Sequence, residues 1–373
     1  MTQSVLVIAG EASADMHGAA VVQQLNALRP DVEIFGIGGA AMRQAQFEAV
    51  APAEDIAVAG LTEVLWALPR LWRLLRRLVA LAEQRRPNVA VLIDLPDFNL
   101  RLARRLKKLG IPVLYYISPQ VWAWRPKRVQ QIRAVVDQML VILPFEKTFY
   151  EQHKVPVQFV GHPLVDALPV SPNKDAARRA LRLQGLQVLA LLPGSRKAEV
   201  ARHLPLMLQG VRRLQKDFPA LHPVIPVAST VSRGVIEDLV RQAHVEATIV
   251  NGQATEVLCA ADAAVVCSGT ATLQAGLLAR PMVIVYRVSF LTYHILKRLV
   301  RVAHIGLVNL VAGKRLFPEL IQNAFTADNM AQALTPLLQN TTPLDAEFAN
   351  LRQNLGQGGA AKRVTQAVLE YLR

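Results

Sequence analysis

The sequence has 373 residues and only two cysteines, Cys259 and Cys267. Neither thiol has histidine or cysteine neighbours at the spacing of metal ligands, which argues against a zinc site and against a disulfide framework. The sequence therefore predicts two small buried thiols in a reducing compartment.

Long apolar runs are also missing. No stretch of about 18 uncharged apolar residues occurs, so no transmembrane span is predicted. The first apolar run, at 5–9, follows no basic segment and leads into Gly10-Glu11, which argues against a signal peptide. A cytoplasmic protein is expected.

Two nucleotide-binding fingerprints are absent as well, namely the Gly-x-Gly-x-x-Gly motif and the Walker loop. Their absence argues against a dehydrogenase and an ATPase. Asp and His residues do not cluster as metal ligands do, so neither a metal nor a cofactor is expected.

Apolar residues and positive charge are what the sequence has. Hydrophobic residues make up 52% and charged residues 19%, which indicates a globular chain. The net charge of +14 is spread over both halves. Basic proteins attract nucleic acid, anionic lipid or phosphorylated substrates, and composition does not choose among these partners.

Short β-rich runs alternate with helical patterns along the chain. Strands are predicted at 4–9, 32–37, 88–93, 111–116, 138–143 and 157–160, and then at 187–192, 221–227, 247–250, 262–267 and 281–285. Apolar strands joined by helices predict an α/β fold with two doubly wound parallel sheets.

The strand pattern restarts after a proline-rich linker at 163–173. The expected domains span 1–165 and 166–350, and a terminal helical segment at 351–373 is expected to pack back on the first domain. Such domains face each other across a cleft, and ligands bind at the carboxyl ends of the strands.

In the second half, the loop Gly194-Ser195-Arg196 joins an apolar strand to a helix. Glycine permits close approach of a ligand, the amides at a helix start attract an anion, and arginine matches phosphate oxygens. The loop is therefore predicted to bind phosphate. The alternative is that Ser195 only caps the helix.

A second loop of this kind, Ser268-Gly269-Thr270, follows the strand that ends at Cys267. Gln274 lies one turn into the next helix and is placed to hydrogen-bond a ribose. A plain capped helix is the alternative for this loop alone. Two such loops in one half fit a nucleotide diphosphate better.

In the first half, Asp94 follows the apolar strand 89–93. A carboxylate at such a strand end is costly unless it is paired or used. In a cleft, its pKa rises toward that of a general base, which is the role predicted here. A structural hydrogen-bond hub is the alternative for Asp94, and Asp97 or Asn99 is expected to cap the following helix.

Other polar and aromatic side chains follow strands of the first half. The candidate acceptor-side residues are Glu11, Ser13 and Asp15 after the first strand, and Trp122, Trp124 and Arg125 in a later loop. The alternatives are that Ser13 or Asp15 caps a helix and that the tryptophans form a packed aromatic corner.

The segment 61–85 combines apolar residues, tryptophan and, between positions 70 and 77, four arginines. Such a helix suits the surface of an anionic membrane. The residues predicted to face the membrane are Leu65, Trp66, Leu68, Leu71, Trp72 and Leu75. A core helix with a solvated basic face is the alternative.

Together these motifs resemble the lipid-A-disaccharide synthase family, inverting glycosyltransferases of the GT-B fold. The resemblance spans nearly the whole chain. Its motifs lie at 10–15 with Gly18-Ala19, 93–99, 118–125, 143–146, 159–163, 192–196 with Glu199, 268–273, Tyr286-Arg287 and 309–313.

The resemblance implies transfer of a sugar from UDP-diacylglucosamine to diacylglucosamine 1-phosphate, which yields a lipid A disaccharide 1-phosphate and UDP. It implies that Asp94 takes the proton of the acceptor's primary hydroxyl and that Arg196 stabilises the leaving diphosphate. Asn309 would be a further donor-side residue. No catalytic metal is implied, and the enzyme would act at the cytoplasmic face of the inner membrane.

Two positions depart from the family pattern. Ala14 stands where glycine is usual, and Gln274 stands where a glutamate is usual in this fold. The alternatives are another GT-B enzyme of UDP-sugars, such as an epimerase or a peptidoglycan glycosyltransferase, an inactive membrane scaffold, and a basic nucleic-acid-binding protein. Nucleic acid is not the expected partner, because the tryptophans share one loop and no known binding module is present.

Overall fold

A computed structural model describes residues 3–53, 56, 61–124, 126–300, 302–339 and 343–372; the side chains at 61–67, 126, 291, 295 and 296 lie outside the description. The chain forms two compact units, Met1–Pro163 with Gly356–Arg373, and Leu164–Leu355. The sequence-based divisions stand at 165/166 and 350/351.

The first unit contains a parallel sheet of seven strands. The strands are β1 (Ser4–Ala9), β2 (Glu33–Gly38), β3 (Glu48–Pro52), β4 (Val89–Ile93), β5 (Val113–Tyr116), β6 (Gln138–Val141) and β7 (Val157–Phe159). The helices are α1 (Ala12–Leu28), α2 (Ala40–Gln44), α3 (Leu61–Arg85), α4 (Pro96–Lys108), α5 (Val121–Trp124), α6 (Val129–Val135), α7 (Pro144–Gln152) and, from the end of the chain, α18 (Ala360–Leu369). The strand order is β3-β2-β1-β4-β5-β6-β7, so the direction of winding reverses between β1 and β4.

The second unit contains a parallel sheet of six strands. The strands are β8 (Gln187–Leu192), β9 (Leu221–Val227), β10 (Thr248–Asn251), β11 (Ala263–Cys267), β12 (Met282–Tyr286) and β13 (Glu319–Ile321). The helices are α8 (Leu164–Ala167), α9 (Lys174–Ala180), α10 (Lys197–Leu214), α11 (Arg233–Gln242), α12 (Ala254–Ala260), α13 (Thr270–Leu277), α14 (Phe290–Leu299), α15 (Leu307–Ala312), α16 (Ala327–Leu338) and α17 (Asp345–Asn354). The order β10-β9-β8-β11-β12-β13 reverses between β8 and β11.

Both faces of the first sheet are buried, as the apolar strands predict. Alternate residues of β1 enter different layers: Leu6 and Ile8 pack with α3 and α4, whereas Val5 and Val7 pack with α1. The last helix, α18, adds Val364, Ala367 and Val368 to the layer of α1. The end of the chain thus completes the core of the first unit.

The predicted fold class is confirmed by the two parallel α/β sheets. Two strands were not predicted, β3 and β13, which are the outermost strands beside β2 and β12. The expected linker at 163–173 contains the short helix α8.

Helix α3 contradicts part of the predicted membrane face. Leu75 is 7% exposed and packs in the core with Leu74 and Leu78, and Leu71 packs against the same core. Leu68 and Trp72 are exposed, at 37% and 45%. The side chains of Leu65 and Trp66 lie outside the described residues. One apolar stripe of α3 therefore faces the core. Among the described side chains of this helix, the large apolar ones that are exposed are Leu68 and Trp72.

Candidate active site

Asp94 lies at the carboxyl end of β4, beside the reversal point of the first sheet. Its side chain is half-buried. Burial and, to a smaller extent, the negative charge of Glu11 raise the pKa of Asp94 to about 6, and a hydrogen bond from the Leu95 amide acts in the opposite direction. A carboxyl group with this pKa is ionised at neutral pH and still basic enough to accept a proton.

The backbone at this position is strained. Asp94 and Leu95 have φ values of 50° and 49°, in the left-handed region that residues other than glycine rarely adopt. Two buried side chains hold the peptide, because Asn99 Nδ2 (2.8 Å) and the hydroxyl of Tyr115 both donate to the Asp94 carbonyl. The hydrogen bonds of Asn99 and Tyr115 thus converge on the backbone carbonyl of Asp94 and leave its carboxylate out of this network.

Neither residue expected to cap α4 does so. Asn99 donates to the carbonyls of Ile93 and Asp94, and Asp97 is exposed and paired with Arg128 at 2.5 Å. Leu95 occupies the N-cap position, followed by Pro96.

Two histidines, His17 and His162, follow strands of the first sheet, and neither was predicted as a site residue. His17 of α1 makes an edge contact with Tyr116, with ring centroids 6.4 Å apart. Burial lowers the pKa of His17, and burial, with a smaller effect of His17, lowers the pKa of His162 to about 4. Both imidazoles are therefore neutral at pH 7 and bring no positive charge to Asp94.

The three residues predicted after β1 have different environments. Glu11 and Ser13 are exposed, next to and within the first turn of α1. Asp15 is 7% exposed, and its carboxylate accepts hydrogen bonds from the amides of Gly39, Ala41 and Met42 (2.6, 2.9 and 3.1 Å). The structure therefore contradicts an acceptor contact for Asp15, because its oxygens hold the start of α2. Ala14 is buried within α1, where its helical backbone requires no glycine.

The aromatic loop, residues 118–124 after β5, includes the short helix α5 and is held in place by contacts with α7. Trp122 donates its indole N–H to Glu146 Oε1 (3.0 Å) and contacts Phe145 edge-on, with ring centroids 4.8 Å apart. Trp124 is 38% exposed. Arg125 lies outside the described residues. The two tryptophans thus differ, because Trp122 is hydrogen-bonded to α7, whereas the side chain of Trp124 is partly exposed to solvent.

In the second unit, the predicted donor residues line one cavity of about 450 Å³ at the carboxyl ends of β8 to β11. Those that line it are Gly194, Ser195, Arg196, Ser268, Gly269, Thr270 and Gln274. The cavity spans the point between β8 and β11 where the strand order reverses, which is the usual ligand position in such sheets.

The first loop of this cavity is not an open anion site. Glu199 Oε2 accepts the amides of Ser195 (3.1 Å) and Arg196 (3.2 Å), and Arg196 Nη1 lies 3.3 Å from Glu199 Oε1. A Cβ on Gly194, whose φ is 121°, would lie 2.5 Å from that carboxylate. The expectation that these amides are free for phosphate is wrong in this conformation. The cation remains accessible, because the Arg196 side chain is 81% exposed.

The second loop fits an anion better. Gly269 has a φ of 147° and precedes α13, where the amides of Thr270 and Ala271 have no intrahelical acceptor. Gln274 donates to Thr255 Oγ1 (2.9 Å), which fixes its amide at the cavity wall. The α13 end and Gln274 thus offer amide donors and one amide oxygen.

His203, which was not predicted as a site residue, links the first loop to the motif Tyr286-Arg287 by hydrogen bonds. Its Nδ1 lies 2.8 Å from the Pro193 carbonyl, and its Nε2 accepts the Arg287 amide at 2.9 Å. These partners require a neutral ring with the proton on Nδ1, and burial lowers the pKa of His203 in agreement. In the sequence, only the position of His203 in the helix that follows the Gly194 loop could have indicated this role.

Asn309 is fully buried, and both ends of its amide are engaged. Nδ2 donates to the Phe317 carbonyl and to Glu319 Oε1, and Oδ1 accepts the Phe317 amide, all at 2.9 Å. The structure contradicts a direct donor contact by Asn309. Glu319 also accepts the amides of Ile305 and Gly306, and the Ile305 carbonyl accepts the Ser268 hydroxyl at 2.8 Å. Asn309 therefore supports the second loop of the cavity indirectly, through Glu319 and Ile305.

Within the described part of the chain, no group of three His, Cys, Asp or Glu side chains is arranged to hold a metal ion. Nor does any helix there combine the length and apolar character needed to cross a membrane.

Comparison with known sequences identifies the family. The family model described as lipid-A-disaccharide synthetase matches residues 5–368. The lipid-A-disaccharide synthase of an Anaeromyxobacter species (strain K) is 48% identical over 100% of this chain and 98% of its own. That of Myxococcus xanthus is 45% identical, over 99% and 97%, and that of Pseudomonas aeruginosa (strain LESB58) is 44% identical, over 99% and 98%.

Solved structures support the fold. A UDP-GlcNAc 2-epimerase from Neisseria meningitidis, bound to UDP-GlcNAc, has a TM-score of 0.66 at 14% identity, covering 99% of this chain and 100% of that one. The kitacinnamycin glycosyltransferase has a TM-score of 0.64 at 16% identity, covering 99% and 98%. At such identities the likeness shows the GT-B type of fold alone. The sequence comparisons show more: the chain belongs to the lipid-A-disaccharide synthase family and is a glycosyltransferase.

Proposed function

We propose that the chain transfers the sugar of a UDP-diacylglucosamine to the primary hydroxyl of a diacylglucosamine 1-phosphate. The names of its relatives indicate the reaction class, and the Asp94 carboxyl, with its pKa of about 6, is suited to act as the general base. The acceptor oxygen attacks the anomeric carbon from the face opposite the diphosphate, its proton passes to Asp94, and the bond to UDP breaks. The products are a lipid A disaccharide 1-phosphate and UDP.

The cavity of the second unit is the proposed donor site. The diphosphate lies at the start of α13, where the Thr270 and Ala271 amides point, and the exposed Arg196 turns from Glu199 to the leaving phosphate. Preorganised donors at a developing negative charge are an effective means of catalysis. The Gln274 oxygen accepts a ribose hydroxyl without the additional strength of a charged acceptor.

Both proposed substrates carry acyl chains, so the enzyme must reach a lipid surface. Helix α3 has exposed apolar side chains that are suited to such contact. Leu68 and Trp72 are exposed, Arg76 lies 4.7 Å from the Trp72 ring centroid, and Arg73 and Arg77 are exposed on the same helix. Aromatic and apolar groups beside arginines bind the interface of an anionic bilayer. This arrangement supports peripheral attachment to an anionic membrane, for which we propose the cytoplasmic face of the inner membrane.

The proposal is tested by incubating the purified protein with both acylated substrates in detergent and a metal chelator, and by following UDP and disaccharide together. We expect equal amounts of both products. UDP-GlcNAc is the control donor; its conversion to a 2-epimer without disaccharide formation would show an epimerase and would refute the proposal.

A further inference from the structure

Beneath the aromatic loop lies a buried polar cluster that the proposed reaction does not use. Its centre is Glu146, in the first turn of α7, which is 2% exposed. Burial raises the pKa of Glu146 to about 7, although several hydrogen bonds to the carboxylate act in the opposite direction. Burying an ionisable group costs free energy, so its partners indicate what it is for.

The two carboxylate oxygens of Glu146 have different partners. Oε2 accepts the Leu143 amide at 3.1 Å, which closes the start of α7. Oε1 accepts the indole N–H of Trp122 at 3.0 Å, from a different element 24 positions away. Helix capping explains the first bond only, because Trp122 is not part of α7. The second bond ties the aromatic loop to α7.

The same cluster connects to the peptide that carries the base. Ser118 Oγ lies 2.8 Å from the hydroxyl of the fully buried Tyr150. Tyr115, on the strand next to β4, donates its hydroxyl to the Asp94 carbonyl. Ile117, between Tyr115 and the loop, has a φ of 65°, so the chain leaves β5 through a strained residue. Tyr115, which holds the Asp94 peptide, and Tyr150, which contacts the aromatic loop, belong to the same buried core cluster.

We propose that Glu146 is a positioning residue for the sugar-phosphate acceptor, acting through Trp122. It fixes the Trp122 ring in the orientation that directs the acceptor hydroxyl toward Asp94. The inference rests on the proposed function, because it takes the aromatic loop as the acceptor wall.

The test compares Glu146→Gln, Trp122→Phe and the double variant, with Glu151→Gln as the control. Glu151 is an exposed glutamate of the same helix, paired with Lys147 at 3.8 Å. KM and kcat are measured separately for acceptor and donor. We expect each single variant to lower kcat/KM for the acceptor about tenfold, with the donor KM unchanged, since tenfold corresponds to about 1.4 kcal/mol, the scale of one hydrogen bond. The double variant should lose no more than the worse single variant, because both changes break one contact.

Trp122→Phe leaves the cap of α7 intact and decides the matter if Glu146→Gln folds poorly. Additive losses in the double variant, or equal changes in donor and acceptor KM, would overturn the proposal and leave Glu146 a structural cap. Direct binding of diacylglucosamine 1-phosphate is measured in parallel. If the wild type makes no disaccharide, the proposed function fails, and unchanged acceptor binding in all variants would then overturn the role of Glu146 separately.

Discussion

Asp94 combines a strained backbone with a carboxyl group whose ionisation is disfavoured by its surroundings. In the unfolded chain the pKa of Asp94 is near its ordinary value of 3.8, whereas in the folded protein it is about 6. The unfolded state therefore loses its proton first, and the contribution of Asp94 to stability falls as the pH rises from about 4 to 6. A group that weakens the fold at neutral pH is retained for another reason, and proton transfer supplies one.

The pH dependence of catalysis follows from the same carboxyl. We expect kcat/KM to fall about tenfold per pH unit below an apparent pKa of about 6, because the base must be ionised. Glu11→Gln removes a negative charge that raises the pKa of Asp94, so the acid limb should move to lower pH. Rate profiles from pH 4.5 to 8 measure the shift, and Glu83→Gln, an exposed glutamate of α3, is the control. A profile unchanged by Glu11→Gln contradicts the assignment.

Arg196 is predicted to act on the donor alone. Arg196→Ala should weaken UDP binding about tenfold to a hundredfold, because an exposed guanidinium facing a diphosphate is lost and no core contact is broken. Calorimetric titration with UDP measures the change. Arg212→Ala, at the exposed far end of α10, removes the same charge and should bind UDP normally. Normal binding by Arg196→Ala would remove this residue from the site.

Single residues also show where sequence reasoning stops. Asp94, Arg196 and Gln274 were predicted as site residues because each lies shortly after an apolar strand. Asp15 has the same local pattern, yet its partners begin at Gly39, 24 positions away. A local pattern gives the type and edge of a side chain, but only the folded chain decides whether its oxygens meet a ligand or a distant amide.

The well-buried strands were all predicted, and the partly buried edge strands β7 and β10 were predicted as well. The central strands β1, β4, β8 and β11 are continuous apolar runs and were found. Strands β3 and β13 lie at sheet edges; β3 is partly exposed and β13 has three residues, so neither has that pattern. Helix α3 was predicted with its surplus of apolar residues, but periodicity alone does not say which stripe meets the core.

The segment that supports the second donor loop gives a prediction about α15. Asn309→Ala removes three hydrogen bonds that fix Phe317 and Glu319, and should lower the free energy of unfolding by about 1–3 kcal/mol. Because Glu319 holds the segment bonded to Ser268, the donor KM should rise while the acceptor KM stays constant. Chemical denaturation and steady-state kinetics measure both. A donor effect with full stability would instead indicate direct contact.

The two stripes of α3 give a matched pair of variants. The double change Leu68→Ser and Trp72→Ser should weaken binding to anionic vesicles about tenfold or more and leave the melting temperature unchanged, because both side chains are exposed. Leu75→Ser should instead destabilise the protein by about 3 kcal/mol or more, because Leu75 is in the core. Vesicle sedimentation and thermal unfolding separate the effects. Unchanged sedimentation of the double variant would place the lipid contact elsewhere.

The whole molecule places two kinds of chemistry on two sheets of the same design. The first sheet carries Asp94 at its reversal point, and the second carries the small-residue loops at its own. The net charge of +14 suits the proposed substrates and the proposed membrane surface, all of which are anionic. Charge composition left nucleic acid among the candidates; the family comparison is what selected the phosphorylated sugar substrates.

The central claim is that Asp94 is the base of a sugar transfer, and single-turnover formation of disaccharide by the wild type and Asp94→Asn tests it most directly. We expect the variant to bind UDP normally, to melt no lower than the wild type at pH 8, and to react about 10²–10⁴-fold more slowly, the usual contribution of a general base. Equal rates in the two proteins, with UDP bound in both, would contradict the claim.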